Sequence, residues 1–287
     1  MAISIKSVNT GVIRKANEFL ALALKIKEPR NKESLFFLPV LELRDLLIAF
    51  ESKLDEKHKL NDSERQQYEK ARDKASKKML ENIPAIVEEE LRNADITRRV
   101  TSVTLNSAAE GHLTFGLTLH DGSSCELLVN ELQIDTMARA MVRAVENAGM
   151  RELALRITSL LDFLPLYDAD CTGAERLEYD AYTQPEWKHL LFTHHLAFIY
   201  RFTDDAGEAQ FSGTVVKTRV PSNSKEAEAI SHRLPNFSPR LKKLAGKPCQ
   251  VFIRTLTTGT AEKLTQEQCL HALHHLRVQS VSQTQNA

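Results

Sequence analysis

The sequence predicts an α+β protein, because runs of strand-like alternation and runs of helical apolar spacing follow one another along the chain. With 287 residues the chain is long enough for about two domains, at roughly 100 to 200 residues each. We expect an α+β domain over 1–166, built from two hairpin-plus-helix units and a helical arm over 61–96. A second, smaller α+β domain is expected over 183–287.

The composition is that of a soluble globular protein, with 42% hydrophobic and 26% charged residues. Thirty-eight basic residues match thirty-eight acidic ones, so the overall charge predicts no partner. The four cysteines are scattered without a CxxC pair, which favours reduced thiols in the cytoplasm. The first residues show no apolar export signal. The sequence therefore predicts a cytoplasmic protein without a membrane-bound part.

The first hairpin-plus-helix unit follows from apolar patterning. Residues Phe19–Lys27 alternate apolar with small or polar side chains, and SLFFL at 34–38 returns as the next strand after a polar turn. Pro39 is placed near the first turn of a helix, where its missing N–H costs nothing. The buried stripe of this helix is predicted to be Leu43, Leu46, Leu47, Phe50 and Leu54.

A second unit of the same kind is expected downstream. Asp121-Gly122 is a hairpin turn signal, and a helix is predicted over Gln133–Ala148. The strands around the turn are expected at Val100–Leu105, His112–His120 and Ser124–Val129. Two strands joined by a polar turn and followed by a helix with a similar apolar stripe occur in both places, with the helices about 95 residues apart, which suggests a degenerate internal duplication. Two independent hairpin-plus-helix units would give the same pattern.

The arm over 61–96 is rich in Glu, Lys, Arg and Ala, which are good helix formers. Asn61 or Asp62 is suited to cap its start, and Pro84 should kink or split it. Its thin apolar seam consists of Tyr68, Ala71, Ala75 and Met79. Two interpretations are open: a solvated helix lying across the sheet, or an exposed arm that self-associates or binds a partner helix.

A central helix is expected over 150–166, ending near Pro165. Its apolar stripe would consist of Leu153, Ile157, Leu160, Leu161 and Leu164, with Asp162 on another side. A polar loop is expected at 167–186, followed by a hairpin with strands at 190–203 and 210–220. Helices are then expected at 225–234 and from Ser238 to Gly246. The chain should end with a strand at 249–257, a helix at 265–279 and a loose tail.

Several blocks of this chain resemble the enterobacterial YjeJ-like family over nearly the full length. These blocks are MAISIKSVNTGVIRK, LKIKEPRNKESLFF, MRELALRITSLLDFLPLYD, FSPRLKKLAGKPCQVFIRT and ALHHLRVQS. The family is one of uncharacterised proteins, so the resemblance implies no activity and assigns no catalytic or binding residue.

Enzyme signatures are missing from the sequence: it contains no G-x-S-x-G, G-x-x-x-x-G-K-[ST], G-x-G-x-x-G or H-E-x-x-H. This lowers the expectation of catalysis without excluding it, and no cofactor is predicted.

A basic segment at 211–257 carries nine Lys and Arg residues against two acidic ones, with Phe residues interleaved. Such a surface, with a helix starting at Ser238, is suited to hold the phosphates of a nucleic acid. The predicted contact residues are Lys217, Arg219, Arg240, Lys242, Lys243, Lys247 and Arg254. The alternative is that this segment docks on the chain's own acidic segment.

That acidic segment, 162–180, contains one basic residue, Arg176, and six acidic ones: Asp162, Asp168, Asp170, Glu175, Glu178 and Asp180. Carboxylates of this kind are suited to Mg²⁺ or acid–base chemistry, although surface loops are commonly acidic. His271 and His275, spaced i, i+4, are weak metal candidates that could equally face solvent. His194 and His195 should point to opposite faces of a strand.

The sequence thus favours a non-catalytic cytoplasmic binding or regulatory protein, with nucleic acid as the ligand of the basic C-terminal surface. One alternative is a module that self-associates or binds a partner protein through the arm at 61–96. Another is a metal-dependent enzyme that combines the acidic segment with histidines.

Overall fold

The computed structural model describes residues 2–109, 111–173, 177–259 and 263–285. These residues form twelve strands in three sheets and eight helices, which confirms the α+β class. Contacts divide the chain into two compact units, Met1–Leu161 and Asp162–Ala287. No helix among the described residues is both long and apolar enough to cross a membrane.

In the N-terminal unit the order β–β–β–α occurs twice, preceded by one short strand, interrupted by the arm and followed by one short helix. Its strands are β1 (Ala2–Ser4), β2 (Ser7–Lys15), β3 (Glu18–Lys27), β4 (Glu33–Leu38), β5 (Val100–Ser107), β6 (His112–Leu119) and β7 (Ser124–Asn130). Its helices are α1 (Val40–His58), α2 (Asp62–Leu80), α3 (Glu88–Arg92), α4 (Ile134–Asn147) and α5 (Arg151–Thr158). Both predicted hairpin-plus-helix units are present, each with one further strand in front of it.

The two repeats close on each other through parallel strand contacts. One sheet has the order β2-β3-β4 and the other β1-β7-β6-β5. β1, which runs directly into β2, pairs parallel with β7, and a parallel bridge joins Phe37 of β4 to Arg99 just before β5. Helix α1 packs on β5 of the other repeat, and α4 packs on β2. A degenerate duplication and two independent units would both give this arrangement, so the duplication stays a prediction.

Strand β3 is buried on both faces, which its alternating sequence alone does not explain. Leu22, Leu24 and Ile26 are completely buried. On the other face Ala21 and Ala23 form a cluster with Leu91 and Ala94, which follow α2 in the arm. The residues that a half-exposed strand would show to water are therefore covered by the arm.

The arm splits around Pro84 into α2 and α3, as the proline predicts. Asn61 caps α2, since its side chain accepts a hydrogen bond from the Glu64 N–H, and the Glu64 carboxylate accepts one from the Asn61 N–H. In the predicted seam Met79 is buried, Tyr68 and Ala75 are half-buried and Ala71 is exposed. Helix α2 thus turns most of its seam toward its own unit.

The C-terminal unit is one antiparallel sheet with helices on both faces. Its strands are β8 (Phe163–Asp170), β9 (Glu178–Ala181), β10 (His194–Thr203), β11 (Ala209–Thr218) and β12 (Cys249–Thr258), and their order in the sheet is β12-β10-β11-β8-β9. Its helices are α6 (Glu186–His189), α7 (Lys225–Arg233) and α8 (Gln266–Gln285).

Helix α8 packs tightly on one face of this sheet. Cys269 and Leu273 are completely buried, in one cluster with Ile199 of β10. Gly213 permits the close approach, since a Cβ there would lie 3.0 Å from side-chain atoms of both Ile199 and Leu273. On the opposite face the Tyr200 hydroxyl donates a 2.7 Å hydrogen bond to the Ser231 carbonyl of α7.

The predicted central helix over 150–166 is wrong beyond Thr158, where α5 ends. The hydroxyls of Thr158 and Ser159 donate to carbonyl oxygens of the last turn, which competes with further helix formation. Pro165 lies inside β8 instead of ending a helix. Leu160 is half-buried outside the helix, and Asp162 forms an ion pair with Arg233 of α7.

Three further expectations for the C-terminal half are also wrong. The expected loop at 167–186 contains the second half of β8, all of β9 and the start of α6. The expected helix from Ser238 is reduced to a 3₁₀ turn at Lys242–Leu244, although the Ser238 hydroxyl accepts a hydrogen bond from the Leu241 N–H as a capping residue does. The expected loose tail continues α8 as far as Gln285.

Candidate ligand site

A cavity of about 290 Å³ lies in the C-terminal unit. We call it the histidine pocket. Its walls come from β8, the segment after β9, α6, β10 and the residues before α8. The lining side chains are Leu166, Tyr167, Ala181, Tyr182, Thr183, Gln184, His189, His195, Lys263 and Leu264.

His195 is placed by the register of the sheet. It lies opposite Lys217 on β11 and opposite Thr257 on β12, so all three side chains belong to one face. Its Nδ1 is 2.6 Å from the Thr257 hydroxyl oxygen, and only 1% of the residue is exposed. Burial, followed by the charge of Lys217, lowers the pKa of His195 to about 4. The imidazole is therefore neutral at pH 7.

Lys217 is completely buried beside this histidine. Its ammonium group donates a 2.7 Å hydrogen bond to the main-chain oxygen of His189. Among the described parts of the chain no carboxylate forms an ion pair with it. Burial lowers the pKa of Lys217, and the charge of Glu186 opposes this effect without cancelling it.

His189 and Lys263 complete the nitrogen-rich side of the pocket. Burial and then the charge of Lys217 lower the pKa of His189, while Glu186 opposes the shift. The Nδ1 atom of His189 is buried without a hydrogen-bond partner in the described structure. Lys263 lines the pocket and forms an exposed ion pair with Glu186.

A tyrosine–aspartate pair forms part of another wall. The Tyr182 hydroxyl donates a 2.6 Å hydrogen bond to Asp168 Oδ2, and Asp168 is only 2% exposed. Burial and then this hydrogen bond raise the pKa of Tyr182 well above its ordinary value. The phenol therefore stays protonated and holds the buried carboxylate in place.

The pocket thus has two histidines with lowered pKa values in its lining, in a cavity of small-ligand size. Lys217 is not itself in the lining, but this buried cation is hydrogen-bonded to the main chain of His189 and lies opposite His195 in the sheet. Sequence reasoning missed His189, Tyr182 and Lys263, and it placed Lys217 on the outer surface. A signal for Lys217 was present, because it continues the apolar run of β11. Its pairing with His195 depends on strand register, which local patterns do not specify.

The basic residues predicted to bind nucleic acid lie in different environments: some are buried, some form ion pairs and some are exposed. Lys217 and Arg219 are buried, and the Arg219 guanidinium lies 4.5 Å from the centre of the Phe192 ring. Arg240 contacts Asp180 and Glu178, Lys243 contacts Asp170, and Lys247 contacts Asp205. Lys242 and Arg254 are exposed. The described contacts therefore match the alternative that the basic segment docks on the acidic one, and nucleic-acid binding stays a prediction.

The acidic segment and the last histidines do not form a metal site in the described ranges. No group of three or more His, Cys, Asp or Glu side chains suited to hold a metal occurs among residues 2–109, 111–173, 177–259 and 263–285. Glu175 and Arg176 lie outside these ranges. His271 and His275 are exposed on α8, with ring centres 4.4 Å apart, and line an open pocket of about 370 Å³ with Arg254.

Comparison with known proteins gives two matches that agree. A family model described as YjeJ-like matches residues 1–283. A protein of Escherichia coli strain K12, named "Uncharacterized protein YjeJ", is 67% identical over 284 residues, which cover 99% of this chain and 98% of that protein. No solved structure matches.

Proposed function

This chain belongs to the YjeJ-like family, and we propose that it is a binding protein that holds a small anion in the histidine pocket. The observation that carries this proposal is Lys217, a completely buried lysine that contacts the lining residue His189 and has no carboxylate partner among the described residues. An isolated charge in the protein interior is costly unless an opposite charge accompanies it.

An anion in the pocket would supply the missing charge. Lys217, His189 and His195 all have lowered pKa values, and burial is the largest cause in each case. A bound carboxylate or phosphate would favour their protonated forms and oppose these shifts. Lys263 lines the same pocket, and its ion pair with Glu186 is exposed to solvent, so its ammonium group is free to turn toward the same ligand. The volume of about 290 Å³ favours a small ligand over an extended polymer.

The test measures thermal unfolding of the full chain with phosphate, sulfate or oxalate, at an ionic strength kept constant with NaCl. We expect at least one anion to raise Tm, because a ligand that binds only the folded state stabilises it. Lys217→Met should remove this shift while the chain still folds, since an apolar residue of similar volume often replaces a buried charge without loss.

Lys242→Met is the matched control, because it removes the same charge from an exposed lysine that does not line the pocket. It should leave the anion-dependent shift intact. A wild-type Tm that none of the three anions moves, or an equal shift in the Lys217→Met variant, would overturn the proposal.

A further inference from the structure

The N-terminal unit contains a larger cavity, of about 560 Å³, that no sequence motif indicates. We call it the arm cleft. It lies between the end of α2, the chain after β1 and the end of β7 with the turn that follows it. Its apolar lining includes Ile5, Met79, Leu128 and Leu132. Its volume is typical of small-molecule sites in proteins.

The walls of the arm cleft are held together by hydrogen bonds. The Ser7 hydroxyl donates to the Met79 carbonyl, which fixes the end of α2 against β2. The Gln133 side chain donates a 2.9 Å bond to the Ile5 carbonyl. Asn130 accepts from the Leu132 N–H and so fixes the turn after β7. These contacts come from three separate segments, so the cavity is formed before any ligand enters.

The charges at the cleft have one predominant sign. Lys6 and Lys78 line it, and Glu81 is the single acidic residue in the lining. Among the described residues, the Lys6 ammonium forms its hydrogen bond with the neutral amide oxygen of Asn31, at 3.2 Å, and has no ion pair. Lys78 is exposed and has no hydrogen bond or ion pair to a described residue. An apolar floor with two cations that lack a carboxylate partner is complementary to a molecule with an apolar body and an anionic head.

We propose that the arm cleft binds a small amphipathic anion, such as a medium-length aliphatic carboxylate. The aliphatic chain would lie on Met79, Leu128 and Leu132, and the carboxylate would lie between Lys6 and Lys78. This site is in the other unit and shares no residue with the histidine pocket. It therefore stands or fails independently of the function proposed above.

Octanoate is the probe, and methionine methyl groups supply a local readout. The chain has five methionines, of which Met79 lines the cleft and Met137 and Met141 are buried in α4. In the full chain with ¹³C-labelled methionine methyl groups, we expect octanoate to shift the Met79 signal and to leave those of Met137 and Met141 unchanged. 1-Octanol should bind more weakly, because it has no charge.

The lysines are tested by the double variant Lys6→Met with Lys78→Met. It should bind octanoate roughly fivefold more weakly, the effect of losing partly exposed ionic contacts. The matched control is Lys74→Met with Lys77→Met, which removes two exposed lysines of α2 that do not line the cleft. Leu132→Ala should weaken the binding of octanoate and of octanol to the same extent, because Leu132 is expected to contact the aliphatic chain that both share.

The proposal fails if millimolar octanoate leaves the Met79 signal unchanged. It also fails if the double variant and its control bind octanoate equally, since the cleft lysines would then make no contribution.

Discussion

His195 shows how the surroundings of one residue set its chemistry. The sheet places it between Thr257 and Lys217, buries it and so lowers its pKa to about 4. An unperturbed histidine has a pKa of about 6.5. The unfolded chain therefore binds more protons than the folded one between about pH 4 and 6.5, so stability falls as the pH falls through this window.

This difference predicts an acid sensitivity that depends on one side chain. Between pH 7 and pH 5, His195 should reduce the free energy of unfolding by roughly 2 kcal/mol. His195→Gln keeps a hydrogen-bonding group near Thr257 but has no group that titrates in this range. Its free energy of unfolding should therefore fall less between pH 7 and pH 5, by about the same amount. Urea melts at the two pH values measure this. The control is His275→Gln, a change at an exposed histidine, which should show the same acid sensitivity as the wild type. Equal acid sensitivity of all three proteins would contradict the assignment of this effect to His195.

At the residue scale, the sequence identifies candidates better than it identifies their surroundings. The two faces of α8 follow from helical spacing, since Cys269, Leu273 and Leu276 are buried and His271 and His275 are exposed. Lys217 was grouped with surface cations because charge along a sequence does not show where a side chain points. Burial of Lys217 follows from β11 lying inside a five-stranded sheet, a contact between distant segments.

At the element scale, the arm is held by polar contacts that its composition does not show. The Lys25 ammonium, on β3, donates to the Ala85 carbonyl at 2.7 Å and to Glu90 at 2.6 Å. Asn9 of β2 donates to the Pro84 carbonyl at 2.8 Å. Glu90 is in turn held in α3, where it accepts from the Val87 N–H. The second half of the arm is therefore anchored across β2 and β3.

Removing the lysine should release this part of the arm. Lys25→Met leaves the Ala85 carbonyl and the Glu90 carboxylate without their donor, which should cost roughly 1 to 3 kcal/mol. Amide hydrogen exchange should accelerate over residues 85–92, while α1 and α4 remain protected. Lys32→Met, at an exposed lysine of the next turn, is the control. Unchanged exchange over 85–92 in the Lys25 variant would show that apolar packing alone holds the arm.

Elements with a clear period and a clear end signal were predictable from sequence. The strands around Asp121-Gly122 and the helix after Pro39 are confirmed, because turn and cap residues coincide with a change in periodicity. Strand β8 was missed because Leu160, Leu161 and Leu164 continue the helical spacing of Leu153 and Ile157. Strand β9 was missed because it is a short, polar edge strand that depends on pairing with β8.

At the scale of the whole chain, the equal numbers of basic and acidic residues are reflected in ion pairs between the basic and the acidic segment. The basic and acidic segments, each one-sided in sequence, meet within the C-terminal unit. Arg240 contacts two carboxylates there, and the guanidinium lies 2.9 Å from Asp180 Oδ2. This contact lowers the pKa of Asp180 below its ordinary value. Arg240 is therefore already occupied by a partner from its own unit.

This occupation separates two roles for Arg240. If the arginine serves the fold, Arg240→Ala should lower the free energy of unfolding by up to about 1 kcal/mol, as partly exposed ion pairs do. Any affinity for nucleic acid would then depend more on the exposed Lys242, and Lys242→Ala should leave stability unchanged. Urea melts, together with fluorescence anisotropy of labelled DNA and RNA at about 50 mM salt, where phosphate contacts are strong, measure both effects. Salt-sensitive binding that Arg240→Ala weakens without any loss of stability would show instead that Arg240 leaves Asp180 to contact phosphate.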